Sequence, residues 1–327
     1  MQFGCILSVV EHALNQRATC PEKEVRLMRH FFIGTFTGIC LFCAACVPEI
    51  TASEAIPVFV SIPPQKYFVE KIGGEFVSVS VMVGPGANAH TFEPKPAQMT
   101  GLAKARVYFA IGMEFENVWL ERIAAANPKL LIVHTEKSIE RIPMKEHHSD
   151  DEHKGSHSDQ HEHRGILDPH IWLSPPLVKI QAKNILDGLI AADSEHQSAY
   201  LSNYEIFIKE TDALDAELRG IFAEKGDHTR FMVFHPSWGY FAQAYGLEQA
   251  AIEIEGKEPK PAQLAQLIKY AQKEGIRVVF VQPRFSVKNA ETIAKAIQGQ
   301  VVFADPLAED WAKNLREVAA KFKAALR

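Results

Sequence analysis

The sequence predicts an α/β protein of two similar parallel-sheet lobes joined by one long, stiff helix. Three observations carry this. After about residue 54, strand-like runs alternate with helical stretches of about ten residues, the pattern of a parallel sheet with helices on both faces. The alternation then recurs with matching local sequences. Between the two series, Ser194–Glu224 contains no proline and Gly220 as its one glycine.

The first series opens with a strand at Ile56–Ser61 and a helix at Gln65–Ile72 that Gly73-Gly74 ends. Phe76–Val83 is a second strand, stopped by Gly84-Pro85-Gly86. Pro96–Ala105 reads as a helix, Val107–Ile111 as a strand, Val118–Ala126 as a helix and Leu130–Val133 as a fourth strand. The second series has strands at Phe231–Phe234, Gln249–Ile254, Val278–Gln282 and Val301–Ala304. Its helices are Tyr240–Tyr245, Ala262–Lys273 and Ala290–Ile297. Lys95-Pro96-Ala97-Gln98 returns as Lys260-Pro261-Ala262-Gln263, and Arg106-Val107-Tyr108-Phe109 is echoed by Arg277-Val278-Val279-Phe280. Two matches in the same order inside the same series argue for duplicated lobes. The connecting stretch keeps Tyr200, Ile206, Leu214, Leu218 and Ile221 at roughly helical spacing. It is either one helix of about 45 Å at 1.5 Å per residue, or two helices broken near Lys209. The divisions are a first lobe at 54–193, a linking helix at 194–224 and a second lobe at 228–327.

Composition bounds the function. The 327 residues are 47% hydrophobic and 23% charged, with a net charge of -5. These are globular proportions, and the basic footprint that nucleic acid requires is missing. The cysteines are Cys5, Cys20, Cys40, Cys43 and Cys46. Everything after residue 46 therefore lacks disulfides and thiolates, and a metal must be held by His, Asp, Glu or backbone.

Residues 1–46 read as a leader. Lys23, Arg26, Arg29 and His30 precede the uncharged run Phe31–Cys46, which is shorter than the roughly 20 residues of a spanning helix. A basic start, an apolar core and small residues at its end describe an export signal, so the protein is expected in the periplasm or otherwise outside the cytoplasm. Ala44-Ala45-Cys46 is similar to a lipidation motif, although Cys43 stands where that pattern prefers Leu. The two outcomes are a lipid anchor on Cys46 and ordinary cleavage near Ala52. The signal starts at either Met1 or Met28.

Lys145–Gly165 contains no apolar residue. It carries His147, His148, His153, His157, His161 and His163 among Glu146, Asp150, Asp151, Glu152, Asp159 and Glu162. Such a stretch cannot bury a core and is expected as a loop within the first lobe. Neutral imidazoles bind borderline metals such as zinc. Without fixed geometry, they should offer several weak, exchangeable sites.

Outside this insert, His90 follows the second strand, His170 lies just before a helix, and His235 ends the first strand of the second lobe. Asp305 follows the last strand and precedes Pro306. In parallel α/β sheets, ligands bind beyond the carboxyl ends of strands. Three imidazoles and a carboxylate make a closed tetrahedral set suited to zinc. Glu255 lies five residues before the second Lys-Pro-Ala-Gln, as His90 does before the first. It is either an acceptor for a ligand imidazole from the opposite lobe or a helix-start or salt-bridge residue. Phe92, Trp172 and Trp238 flank the histidines, where they would exclude water or simply pack.

At this point the chain resembles the solute-binding proteins of bacterial zinc and manganese ABC importers, the ZnuA/TroA-like family, over about residues 54–327. The motifs are GPGANAHTFEP (84–94), the acidic and histidine-rich insert, DPHIWLSP (168–175), FHPSWGYFAQAYGL (234–247), IEGKEPKP (254–261), VVFVQPRFS (278–286) and VVFADPLAEDW (301–311). The resemblance implies two lobes joined by one rigid helix, with metal bound in the cleft by His90, His170 and His235. It implies Asp305 as the usual fourth ligand, which a loop Glu or a water replaces in some zinc-specific members. Manganese-selective members carry a carboxylate in place of the third His, so His235 favours zinc, as its softness does. The implied role is monomeric, non-enzymatic capture of Zn2+ and delivery to an ABC-importer membrane permease. The alternatives are a Mn2+/Fe2+ carrier of the same family, a zinc-dependent adhesin whose structural metal would not come off without unfolding, and a zinc hydrolase. The last needs an open metal position and a general base, and the sequence has neither H-E-x-x-H nor G-x-S-x-G.

Overall fold

Alternating apolar runs and amphipathic segments build two four-stranded parallel sheets. The computed structural model describes residues 54–84, 87–144, 167–224, 229–253, 257–283 and 287–326. The leader, the histidine-rich insert and Glu255 lie outside these residues.

The first lobe runs β1 (Ile56–Val60), α1 (Pro63–Gly73), β2 (Val77–Val81), α2 (Pro96–Leu102), β3 (Val107–Ala110), α3 (Glu114–Ala126) and β4 (Leu131–His134). Next come α4 (Pro175–Ala192) and the connecting helix α5 (Gln197–Ala223). The second lobe follows as β5 (Arg230–Val233), α6 (Gly239–Tyr245), β6 (Glu248–Ala251), α7 (Pro261–Lys273), β7 (Val278–Val281), α8 (Lys288–Ala296), β8 (Gln300–Phe303) and α9 (Trp311–Ala325). The sheet orders are β2-β1-β3-β4 and β6-β5-β7-β8, the same winding twice. Every expected strand is present, within a few residues at its ends. The sequence places a helix after His170 without marking its ends, and the strand–helix alternation contains no counterpart of α9.

The repeated Lys-Pro-Ala-Gln has a physical meaning in this frame. Each copy starts a helix, α2 or α7, with proline in the first turn, where no amide partner is lost. The glutamine three residues past the cap turns back to accept the cap amide, Gln98 from Lys95 at 2.9 Å and Gln263 from Lys260 at 2.8 Å. Gln98 also donates to the Met82 carbonyl at 2.6 Å, which fastens α2 to the end of β2.

The connecting helix is unbroken for 27 residues, about 40 Å at 1.5 Å per residue. No break occurs near Lys209. It buries Tyr200, Phe207, Leu214, Leu218 and Phe222 along one stripe. The second sheet is covered on both faces, as parallel sheets are. Phe231 and Val233 face a core shared with the first lobe, while Met232 and Val279 face a smaller core under α7 and α8.

The shared core means that more than one helix ties the lobes together. Trp311 packs edge-on against Phe68 of the first lobe, with ring centroids 5.1 Å apart. Its indole N–H donates to the Trp172 carbonyl, and the Trp172 indole donates to the Pro306 carbonyl, both at 2.6 Å. Residues Glu54–Arg327 accordingly form one compact unit.

Candidate metal centre

The ends of the strands converge on one cavity of about 170 Å³, lined by Asn88, Ala89, His90, Met113, His170, Trp172, His235, Gln282, Asp305, Pro306 and Leu307. His90 reaches it from the segment after β2, and His235 from the carboxyl end of β5. His170 sits on the turn that leads into α4. Among the described residues these three form the one group whose ligand atoms converge, all within 4.8 Å of one another. His170 and His235 are buried, and the His90 side chain is 23% exposed.

Each ring is held by its own carboxylate. Nδ1 of His90 meets Glu114 at 2.9 Å, Nδ1 of His170 meets Asp168 at 2.7 Å, and Nδ1 of His235 meets Glu253 at 2.5 Å. A carboxylate accepts only, so each pair places the ring proton on Nδ1 and leaves the lone pair on Nε2. The Nε2 atoms of His90 and His235 then face each other at 3.0 Å. Two lone pairs so close repel unless a cation or a proton lies between them. The donor set therefore suits a metal, in the carboxylate–histidine–metal arrangement that fixes the tautomer and raises ligand basicity.

Burial holds the His235 imidazole down to a pKa of about 4, while the Glu253 carboxylate pulls the other way. The ring is thus neutral and metal-competent at neutral pH. Burial works against ionisation of Glu114, but its bonds to the His90 ring and to its own backbone N–H outweigh it, and the carboxyl lies below its ordinary range.

Local structure explains this placement. Val233 and Ala251 are register partners of β5 and β6, so two residues further on, His235 lies beside Glu253. The side-chain amide of Gln282, just past β7, donates to the His235 carbonyl at 2.9 Å. Gln249 closes the turn after His235, accepting from the Trp238 amide at 3.0 Å and donating to the Pro236 carbonyl at 3.2 Å. Asp168 Oδ1 also accepts the His170 backbone N–H at 2.9 Å, which makes the Asp-Pro-His turn self-bracing.

Asp305 lines the same cavity, but its carboxylate stands outside the 4.8 Å group. Its Oδ1 accepts the Leu307 N–H at 2.9 Å. Trp172 lines the cavity against His170, with ring centroids 5.1 Å apart. Phe92 and Trp238 are buried in packing and are not part of the wall. Glu114, Asp168, Glu253 and Gln282 were not singled out in the sequence. The sheet register could have found Glu253, because Arg230 pairs with Glu248 and the same offset of eighteen residues carries His235 to Glu253.

A family model described as zinc-uptake complex component A, periplasmic (ZnuA), matches residues 58–325. A solved ZnuA is 40% identical with a TM-score of 0.76, covering 84% of this chain and 100% of that one. A solved ZnuA deletion mutant with zinc bound is 41% identical with a TM-score of 0.75, covering 84% of this chain and 98% of that one. The high-affinity zinc uptake system protein ZnuA of Bacillus subtilis (strain 168) is 27% identical over 267 residues, 79% of this chain and 82% of that protein. With that match and the three converging histidines, the chain belongs to the ZnuA family of periplasmic zinc-uptake components, a family of solute-binding transport proteins and not of enzymes.

Proposed function

We propose that the protein captures Zn2+ outside the cytoplasmic membrane with His90, His170 and His235 and delivers it to the permease of an ABC importer. The observation that carries this reading is the convergence of three imidazoles, each with a carboxylate on Nδ1, on one cavity between the lobes. Three neutral nitrogens suit zinc over manganese, which prefers oxygen ligands. Asp305, on the cavity wall, is the fourth ligand after a shift of its loop. Cargo must be released intact, which a reversible site permits and a structural metal site does not. The leader exports a monomer, with a lipid on Cys46 as the alternative to free release. The insert 145–165 raises the local zinc concentration through His147, His148, His153, His157, His161 and His163.

Zinc titration of untagged protein against a competing chelator tests this, run on the full chain and on one lacking residues 146–163. One tight equivalent is expected in both, with the weaker equivalents lost in the deletion. Manganese should bind at least tenfold more weakly, about 1.4 kcal/mol. Loss of the tight equivalent with the insert would transfer a ligand to the insert. Equal or tighter manganese binding would overturn the zinc assignment.

A further inference from the structure

At Asp168, the partner of His170, the two lobes meet at a closed ring of three hydrogen bonds that the capture of zinc by three histidines does not by itself require. The Ile142 N–H donates to the Tyr240 hydroxyl at 3.1 Å. That hydroxyl donates to the Asp168 carbonyl at 2.9 Å. The Asp168 N–H returns to the Ile142 carbonyl, also at 2.9 Å. Ile142 and Asp168 belong to the first lobe and flank the antiparallel bridge between Pro143 and Leu167, whereas Tyr240 belongs to α6 of the second. Tyr240 is 2% exposed, and burial pushes its phenol up to about 12, so it stays a donor.

Gly239 supplies an independent observation. A Cβ at this position would lie 2.8 Å from Asp168 Oδ2 and 3.2 Å from Gln249 Nε2. The absence of a side chain lets the start of α6 press against the carboxylate that holds His170 by both its Nδ1 and its backbone N–H. The second lobe therefore touches Asp168 twice, through its carbonyl at Tyr240 and beside its carboxylate at Gly239.

We propose that Tyr240, with the space left by Gly239, is a positioning residue for metal binding. It latches the second lobe to the Asp168 strap and keeps His170 aimed at the cavity only while the lobes are in contact. Zinc is then held by a site whose His235 half lies on one lobe and whose His170 half is steadied across the interface. A partner that draws the lobes apart withdraws Tyr240 from Asp168, frees the His170 ring and lets the metal go. This couples release to lobe separation without any large hinge. It rests on the zinc-site reading given above.

The test compares Tyr240→Phe, Gly239→Ala and Tyr245→Phe with the wild-type chain by chelator-competition titration and stopped-flow zinc release. Tyr245 is the control, a buried tyrosine of the same helix whose hydroxyl bonds to Asp215 on the connecting helix, away from the metal. Loss of a carboxylate partner of a ligand costs about 10- to 100-fold in affinity. The latch acts one bond further out, so Tyr240→Phe should weaken zinc binding about fivefold, mostly through faster release, with one equivalent retained. Gly239→Ala should act in the same direction and decides the matter if Tyr240→Phe does not fold. Tyr245→Phe should lower the melting temperature without changing the zinc release rate. Unchanged release in Tyr240→Phe and Gly239→Ala, or equal acceleration in Tyr245→Phe, would overturn the latch. A His235→Ala variant run alongside separates the two readings, because unchanged affinity there removes the site itself.

Discussion

Glu114, Asp168 and Glu253 turn three histidines from scattered loops into a set with a common orientation. Imidazole has two nitrogens, and with free tautomers about seven in eight combinations of three rings point at least one proton into the cavity. Here the carboxylates choose Nδ1 three times. Replacing Glu253 by Gln should weaken zinc binding about 10- to 100-fold and depress the His235 pKa further below about 4. Competition titration and histidine NMR titration measure the two effects, and an unchanged zinc affinity would reduce Glu253 to a packing role. The depressed pKa also makes His235 a pH-dependent load on the metal-free fold. The unfolded chain takes up its proton near 6.5 and the folded chain only near 4, so stability is lost as pH falls through that window. His90 and His235 were legible because strand ends are visible in the sequence, and His170 because it precedes a helix. Their partners were less so, because Glu253 depends on strand register and Glu114 on how a loop after β2 folds back toward α3. Glu255, the acceptor suggested by the repeat, lies outside the described residues.

The elements that carry these side chains were mostly readable, since apolar runs bounded by glycine and proline mark parallel strands. The exceptions have physical causes. Helix α4 opens on two prolines and is apolar on much of its surface, so its period is weak. Helix α9 carries Trp311, Leu315, Val318, Ala319 and Phe322 on a clear stripe, but it belongs to neither repeat and returns to pack on the connecting helix. In the first turn of α3, buried Glu116 accepts the backbone N–H groups of Ile111 and Gly112, which lie between β3 and α3, at 3.0 and 2.6 Å, and a bond from the Ser61 hydroxyl. It thereby fixes the turn that ends at Glu114. Burial outweighs those bonds and raises its pKa to about 7. The folded state then holds this proton between about 4.5 and 7 while the unfolded state has lost it. Stability from this group is present at acid pH and lost as pH rises through that window, by about 3 kcal/mol at 1.36 kcal/mol per unit. Melting curves of the metal-free protein at pH 5 and 7.5 should show a smaller loss toward pH 7.5 for Glu116→Gln than for the wild type. Parallel losses would mean that Glu116 is ionised throughout.

The two sheets wind alike, but the molecule is not two beads on a helix. The sequence showed the duplication and the connector. It did not show that Trp172, Pro306 and Trp311 cross-link the lobes, or that Tyr240 and Asp168 do so, because such contacts join residues 72 to 139 positions apart. With a shared core and an unbroken connecting helix, loading and release should proceed by small lobe shifts and loop movement rather than wide closure. The cavity that these contacts surround is the feature on which the functional reading stands. Titration of zinc into the wild type and His235→Ala, in the presence of a competing chelator, tests it most directly. One tight equivalent that weakens at least tenfold in the variant, about 1.4 kcal/mol, is the expected result, and an unchanged affinity would contradict it.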